Sequence, residues 1–488
     1  MNLLKRIPDR PAANWLIMLV IATAIMMLLS RDSYLYLLGP RCDSAWFFMC
    51  GKAWMNGMVP YVDFADSKGP LLWLIYGVGY LLSHYDYHGV FWVSVVVYSG
   101  TFYFLFKTAR LFVAQRSQAL LAVLMTSVAI FNPITHDETR AEDFGMFFAA
   151  LSLWQLCRIL YVEHTERDER IAFFAFGISL AGTLLIKYNI TAMCGIFPAI
   201  GLYYLLRERH NVWHPLLACV AGFAALALPF LIYFLIQGNL SAFIQEYFIN
   251  TLQTIKNMNY HVPIIHKTWY SLCNMFGNRL LFIMMCIIFI GSMLFAYRVK
   301  RDKAIPALIF LFFLFVTIQN SHWNYYYSSV VLFVVFTIIM WVKICKYMWI
   351  AFALVFVGVL WEVKCSYVSG CTILNEEEKN QISKLELIIH ENFDNPRIIS
   401  CRHERGIGIE SSTLPGTKYW ALQAGFTEQM WNDRIDAIKG RRCDMIVIEP
   451  NDDHLYENIK VLMSSGYKRL CIIRYSTLGN IQIWKREN

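Results

Sequence analysis

Long uncharged apolar runs alternate with short polar segments through the first three quarters of the chain. The runs fall at 14–30, 88–106, 118–133, 143–160, 171–186, 188–206, 214–237, 280–297, 304–319, 326–342 and 347–363. They approach the roughly 20 residues that cross a bilayer, so the pattern predicts about eleven transmembrane helices. A shorter run, 69–83, reads as a juxtamembrane or partly inserted helix. Composition agrees: 57% of residues are hydrophobic and 16% charged, where a soluble domain carries roughly a quarter charged residues. The first run is long for a signal peptide and no small-residue cleavage site follows it, so it is read as a retained span.

Orientation follows from lysine and arginine in the short loops. Lys5, Arg6 and Arg10 precede the first span, and every second loop is then basic: Lys107/Arg110/Arg116, Arg158/Arg167/Arg170, Arg207/Arg209, Arg298/Lys300/Arg301/Lys303 and Lys343/Lys346. The N-terminus is expected inside, and an odd number of spans sends the C-terminal region outside. The pair 171–186 and 188–206 is broken only at Lys187; basic flanks on both far sides favour a tight hairpin.

After Cys365 the pattern changes. "EEEKNQISKLELIIHENF" reads as an amphipathic helix, "RIISC" and "DMIVIE" as buried strands, "DDHLYENIKVLMSSG" as a helix, and "RLCIIRY" and "NIQIWK" as strands. The expected organisation is therefore an α-helical multi-spanning membrane domain over 1–364, with large outer loops 31–87 and 238–279. A soluble, extracytoplasmic α/β domain follows over 365–488. It has no Gly-x-Gly-x-x-Gly and no phosphate-loop motif.

Both outer loops carry amphipathic stripes: Trp46, Cys50 and Trp54 in the first, Phe243, Tyr247 and Leu252 in the second. Tryptophan on such a helix suggests an element lying in the membrane interface. The 13 cysteines form no Cys-x-x-Cys pair and no Cys/His cluster with zinc spacing. Most read as small buried apolar residues.

The predicted spans hold no acidic or basic residue in their interiors, which counts against a proton-coupled transporter. Charge gathers instead at the outer ends. The first outer loop offers Asp43, Asp63, Asp66 and Lys68; "NPITHDETRAED" offers Asp137, Glu138, Glu142 and Asp143; Lys187 marks the third outer turn; "NSHWNYYYSS" offers His322 and Tyr325 to Tyr327. Singly, each has a plain reading: a helix cap for Asp43, a snorkelling Lys187, an aromatic belt for the tyrosines, and helix-dipole partners in Glu142 and Asp143. Jointly they lie at one depth on one side, which a site at the outer membrane surface requires.

An acid opening the first outer loop, followed by "GMVPYVDFADSKGPLLWLIYGVGYLL", resembles the GT-C membrane glycosyltransferases. The likeness is to the branch of protein O-mannosyltransferases and the lipid A aminoarabinose transferase. Gly57, Pro60, Tyr61 and Asp63 match a Gly-x-x-Pro-Tyr-x-Asp stretch, and Lys68-Gly69-Pro70-Leu71 matches Lys-Pro-Pro-Leu with glycine for the first proline. "RAEDFGMFFAALSLW", 140–154, resembles the second acidic motif.

The resemblance implies transfer of a sugar from a polyprenyl-phosphate carrier on the outer face to a glycan, lipid or protein acceptor. It implies Asp43 as general base, with Glu142 or Asp143 orienting the acceptor or a metal. Lys68 and Lys187 would stabilise the leaving phosphate, and Tyr61, Asp63 and Tyr325 would bind substrate. A divalent metal is allowed, with Asp66 and His322 as its candidate ligands. The implied setting is a bacterial inner membrane, with membrane lipids as partners. Rival readings are a flippase for lipid-linked sugars, and a polysaccharide polymerase or ligase. The net charge of +8 comes with no basic-aromatic pattern suggesting nucleic acid.

Overall fold

The computed structural model describes residues 10–487 apart from 31, 34–41, 85, 137, 259–262, 301–302, 320–322, 345–349, 351–352, 354–356, 362–386, 401–411, 422–426, 449–454 and 476–478. Among them the helices are α1 (Pro11–Leu29), α2 (Cys42–Met55), α3 (Pro70–Leu82), α4 (His88–Arg110), α5 (Arg116–Ile130), α6 (Ala141–Tyr161), α7 (Glu166–Leu184), α8 (Tyr188–Cys194), α9 (Ile196–Arg207) and α10 (Trp213–Ile236). Then come α11 (Leu240–Phe243), a π-helical turn (Ile244–Asn250), α12 (Thr251–Met258), α13 (Ile264–Gly277), α14 (Arg279–Phe295) and α15 (Ala304–Gln319). A 3-10 turn (Asn324–Tyr327), α16 (Ser328–Val331) and α17 (Val334–Ile344) come next, and α18 (Glu428–Lys439) and α19 (Leu455–Ser464) belong to the C-terminal region.

The architecture is that of an α-helical multi-spanning membrane protein with a small C-terminal α/β sheet. Six described helices are long and apolar enough to cross a membrane: Pro11–Leu29, His88–Arg110, Ala141–Tyr161, Tyr188–Arg207, Trp213–Ile236 and Arg279–Arg298. A seventh span arises if Asn324–Val331 and Val334–Lys343, bent by 42° at their junction, count as one. The expected runs at α5 and α15 are helical but shorter, α7 opens with a charged turn, and 347–363 lies largely outside the described residues. The break at Lys187 is present: α7 ends at Leu184, the Lys187 N–H bonds to Thr183, and a new helix starts at Tyr188.

By internal contacts the chain divides into two compact units. The first comprises 1–35, 94–230 and 262–368, and the second 36–93, 231–261 and 369–488.

In the first unit, helix starts are set by acids. Asp143 accepts the Arg140 N–H at the head of α6 (2.6 Å). Thr165 and Asp168 form a reciprocal capping box at α7.

In the second unit, α2 and α3 touch backbone to backbone. A Cβ on Gly51 would lie 2.5 Å from the Gly77 nitrogen, and one on Gly89 would lie 1.9 Å from the Gly79 oxygen. The five-stranded sheet has order β2-β1-β3-β5-β4, with β1 (Arg397–Ser400), β2 (Leu414–Pro415), β3 (Met445–Ile448), β4 (Tyr467–Tyr475) and β5 (Gly479–Arg486). β1 runs parallel to β2 and β3, while β5 is antiparallel to β3 and β4. Ile399, Ile446, Ile448, Leu462 and Trp484 fill its core.

The tryptophan stripe of α2 meets protein. Trp46 packs on Trp420 with ring centroids 5.6 Å apart, and Trp54 donates to the Tyr233 hydroxyl at 2.9 Å. The stripe of the second loop is interrupted: Phe243 and Tyr247 stack and are buried, but Leu252 is 59% exposed. The π-helical turn between them inserts extra backbone and rotates α12 off the face.

Candidate functional site

In the second unit, the "YVDFADSKGP" segment is a tight loop leading into α3. Tyr61 adopts a left-handed backbone (φ 67°) with its ring fully buried. Its ring lies 4.6 Å from that of Trp73 and 5.2 Å from that of Phe243, and its hydroxyl donates to the Lys68 carbonyl at 2.9 Å. Asp63 accepts the Val59 N–H (2.7 Å), closing the turn. Tyr61 and Asp63 therefore shape the loop that presents Lys68.

The Lys68 ammonium lies 3.0 Å from Ser67 Oγ, 3.9 Å from Asp66 and 5.4 Å from the Phe47 ring centroid. Asp66 is buried and accepts the Ser67 N–H (2.5 Å). Asp43 sits in the first turn of α2 rather than at its cap. It lies one turn before Phe47, on the same face, so α2 brings Asp43 toward the ring that Lys68 covers. Asp66 has an ammonium beside it, and among the described residues no group of three metal-type ligands includes it. His322 lies outside the described residues.

In the first unit, Lys187 donates to Glu142 at 2.6 Å, with both side chains largely buried (13% and 6% exposed). The Lys187 ammonium also stands 4.6 Å from the Tyr326 ring centroid, and Arg140 stands 3.9 Å from that of Tyr325. Tyr325 and Tyr326 stack at 4.7 Å, so two neighbouring rings each carry a cation. Arg140 is in turn paired to Glu138 at 2.7 Å. Asp143 receives the Tyr98 hydroxyl and lies 3.3 Å from His136 Nε2. Buried Asp32 accepts the Thr139 N–H at 2.9 Å, and burial raises its carboxyl above the ordinary range.

Asp32, Tyr98 and Arg140 are not among the residues expected from sequence. Asp32 has a signal there, being an acid directly after the first apolar run. Tyr98, inside a span, has none.

The described residues thus form a set of apolar helices with acid–cation clusters at helix ends, and a small C-terminal sheet. Two comparisons place this fold beside known proteins. Residues 67–234 match the family model of dolichyl-phosphate-mannose-protein mannosyltransferases. The fold matches two crystal structures of ArnT from Cupriavidus metallidurans, one bound to undecaprenyl phosphate and one in the apo state. Their TM-scores are 0.56 and 0.58 at 13% identity, covering 97% of this chain and 98% of each of theirs. No curated protein sequence matches significantly. The family match covers about a third of the chain, and at 13% identity the structural likeness is one of fold.

Proposed function

We propose that the chain transfers a sugar from a polyprenyl-phosphate-linked donor to a glycan, lipid or protein acceptor at the outer face of a bacterial inner membrane. The proposed orientation keeps the N-terminus cytoplasmic and the 365–488 domain outside. The observation carrying this reading is Lys68, held at the start of the family-matched segment with a loose carboxylate partner, Asp66 at 3.9 Å, among the described residues. The bond from the sugar's anomeric carbon to the phosphate oxygen breaks, and a bond from that carbon to an acceptor oxygen forms. The leaving group is already an anion, so its departure calls for a fixed positive charge more than for a proton, and Lys68 supplies one. Asp43 takes the acceptor's proton. Glu142, anchored by Lys187, and Asp143, held by His136 and Tyr98, orient the acceptor; Tyr325 fixes Arg140 beside them. Undecaprenyl phosphate, which the ArnT structure binds, exemplifies the carrier.

The test uses purified protein in detergent with synthetic polyprenyl-phosphate hexoses, following release of free polyprenyl phosphate. Wild type is expected to release it, and Asp43→Asn and Lys68→Met to lose that release. Normal release by both variants would sink the role assignment.

A further inference from the structure

At the basic-loop end of the first unit, the α6–α7 loop, the first turn of α7 and the α9–α10 loop bring together His164, Glu169 and His210. Their ligand atoms all lie within 4.8 Å of one another. α6 separates this cluster from Glu142, and its 21 residues span about 30 Å. It therefore lies well apart from Glu142 and Asp143.

The hydrogen bonds fix its chemistry. His164 Nδ1 lies 2.9 Å from the Val162 carbonyl, an acceptor, so that nitrogen carries the proton. In the neutral ring, Nε2 is then a lone pair. It is buried, has no hydrogen-bond partner among the described residues, and faces Glu169 Oε1 at 3.5 Å. Two acceptors facing each other away from water call for a cation between them. His210 Nδ1 reaches the same carboxylate oxygen at 2.6 Å, and its Nε2 looks toward Glu208 at 3.9 Å. An imidazole held through its second nitrogen by a carbonyl or carboxylate is the arrangement that orients metal-binding histidines.

We infer that His164, Glu169 and His210 form a divalent-metal site, suited to Zn2+, at the basic-loop end of the helices. Two imidazoles, one carboxylate and a water make the four-coordinate set zinc takes. Ligand bonds of about 2.0–2.2 Å place tetrahedral ligand atoms roughly 3.4 Å apart. The His164–Glu169 separation of 3.5 Å already has that value. The His210 contact must lengthen by under about 1 Å, and its side chain, 38% exposed at a loop, has room to do so. The bound ion would tie the α6–α7 loop to the α9–α10 loop.

The test is metal content of the full chain in detergent after chelation, reloading with Zn2+ and desalting. One Zn2+ per chain is expected in wild type. His210→Ala, altering an exposed side chain, should weaken binding by more than the roughly 10–100-fold typical of losing a supporting residue. His164→Ala should do the same, and Co2+ in wild type should show four-coordinate ligand-field bands absent from both variants. No retained Zn2+ in wild type, or equal retention in His210→Ala, would overturn the site and leave a proton as the cation between His164 and Glu169. Neither outcome depends on sugar transfer.

Discussion

Two lysines stand among the candidate residues, each beside a carboxylate in its own unit, and they are held differently. Lys187 makes direct contact with Glu142 at 2.6 Å and packs over Tyr326. Lys68 sits 3.9 Å from Asp66, steadied by Ser67 and by the face of Phe47. A contact pair in a buried setting neutralises both charges and orients the carboxylate. A loose pair leaves the ammonium's hydrogen-bonding capacity open to an incoming anion. On the proposed function, the first arrangement serves position and the second chemistry.

The largest effect should come from breaking the tight pair. Lys187→Met strands Glu142 without its cation and should cost about 3–5 kcal/mol of stability, read by denaturation in detergent. The Lys187→Met/Glu142→Gln double variant should recover most of it. An unchanged single variant would abolish the distinction between the lysines. Lys68→Met should do the reverse, slowing transfer by about 10²–10³-fold, as when a charge-stabilising donor is lost, with little change in unfolding.

A smaller effect is expected at Glu246, a buried carboxylate that accepts from Lys418 (3.0 Å) and from the Tyr419 hydroxyl (2.9 Å). Burial, and then the charge of Glu246, pushes the Tyr419 hydroxyl well above its ordinary pKa, so it stays a donor. Tyr419→Phe should cost about 1–3 kcal/mol, measured as a shift in the denaturation midpoint. It marks what a carboxylate loses when a neutral donor, not a lysine, is removed.

The smallest effect concerns Asp168, held at about 2 by the Thr165 hydroxyl and N–H, with Arg158 adding. Because the folded value lies below the ordinary one near 3.9, its stabilisation is complete above that value. It is lost as pH falls through about 2. Thr165→Ala should cost about 1 kcal/mol at neutral pH and shift the onset of acid unfolding upward, seen by circular dichroism across pH 2–5.

Periodicity carries much of the fold, where enough residues repeat it. The strands at Met445–Ile448 and Tyr467–Tyr475, the helix at Leu455–Ser464 and the break before Tyr188 all lie where the sequence pattern predicts them. The two-residue strand Leu414–Pro415 is too short for alternation to register. The helix Glu428–Lys439 is absent from the sequence expectation although Thr427 caps it. A stripe tells which face of a helix is buried but not against what, so Trp46 points to the membrane interface in sequence when Trp420 covers it in the fold. Leu252 leaves its stripe because a π-helical turn leaves no mark in a period of 3.6. His164, Glu169 and His210 give no sequence signal because their spacing matches no local motif; only the packing of two loops and the start of α7 unites them.

The seating of Gly51 on Gly77, and of Gly89 on Gly79, carries one more consequence. Contact between bare backbones draws on dispersion and fit, and it does not rely on water being driven from between side chains. The segment bearing Lys68 runs directly into α3, the helix that carries Gly77 and Gly79. Its anchorage should therefore be indifferent to whether the surroundings are thick bilayer, thin bilayer or micelle. On the proposed function, the lysine that meets a lipid-borne donor would then sit on a mount insulated from the fluid around it.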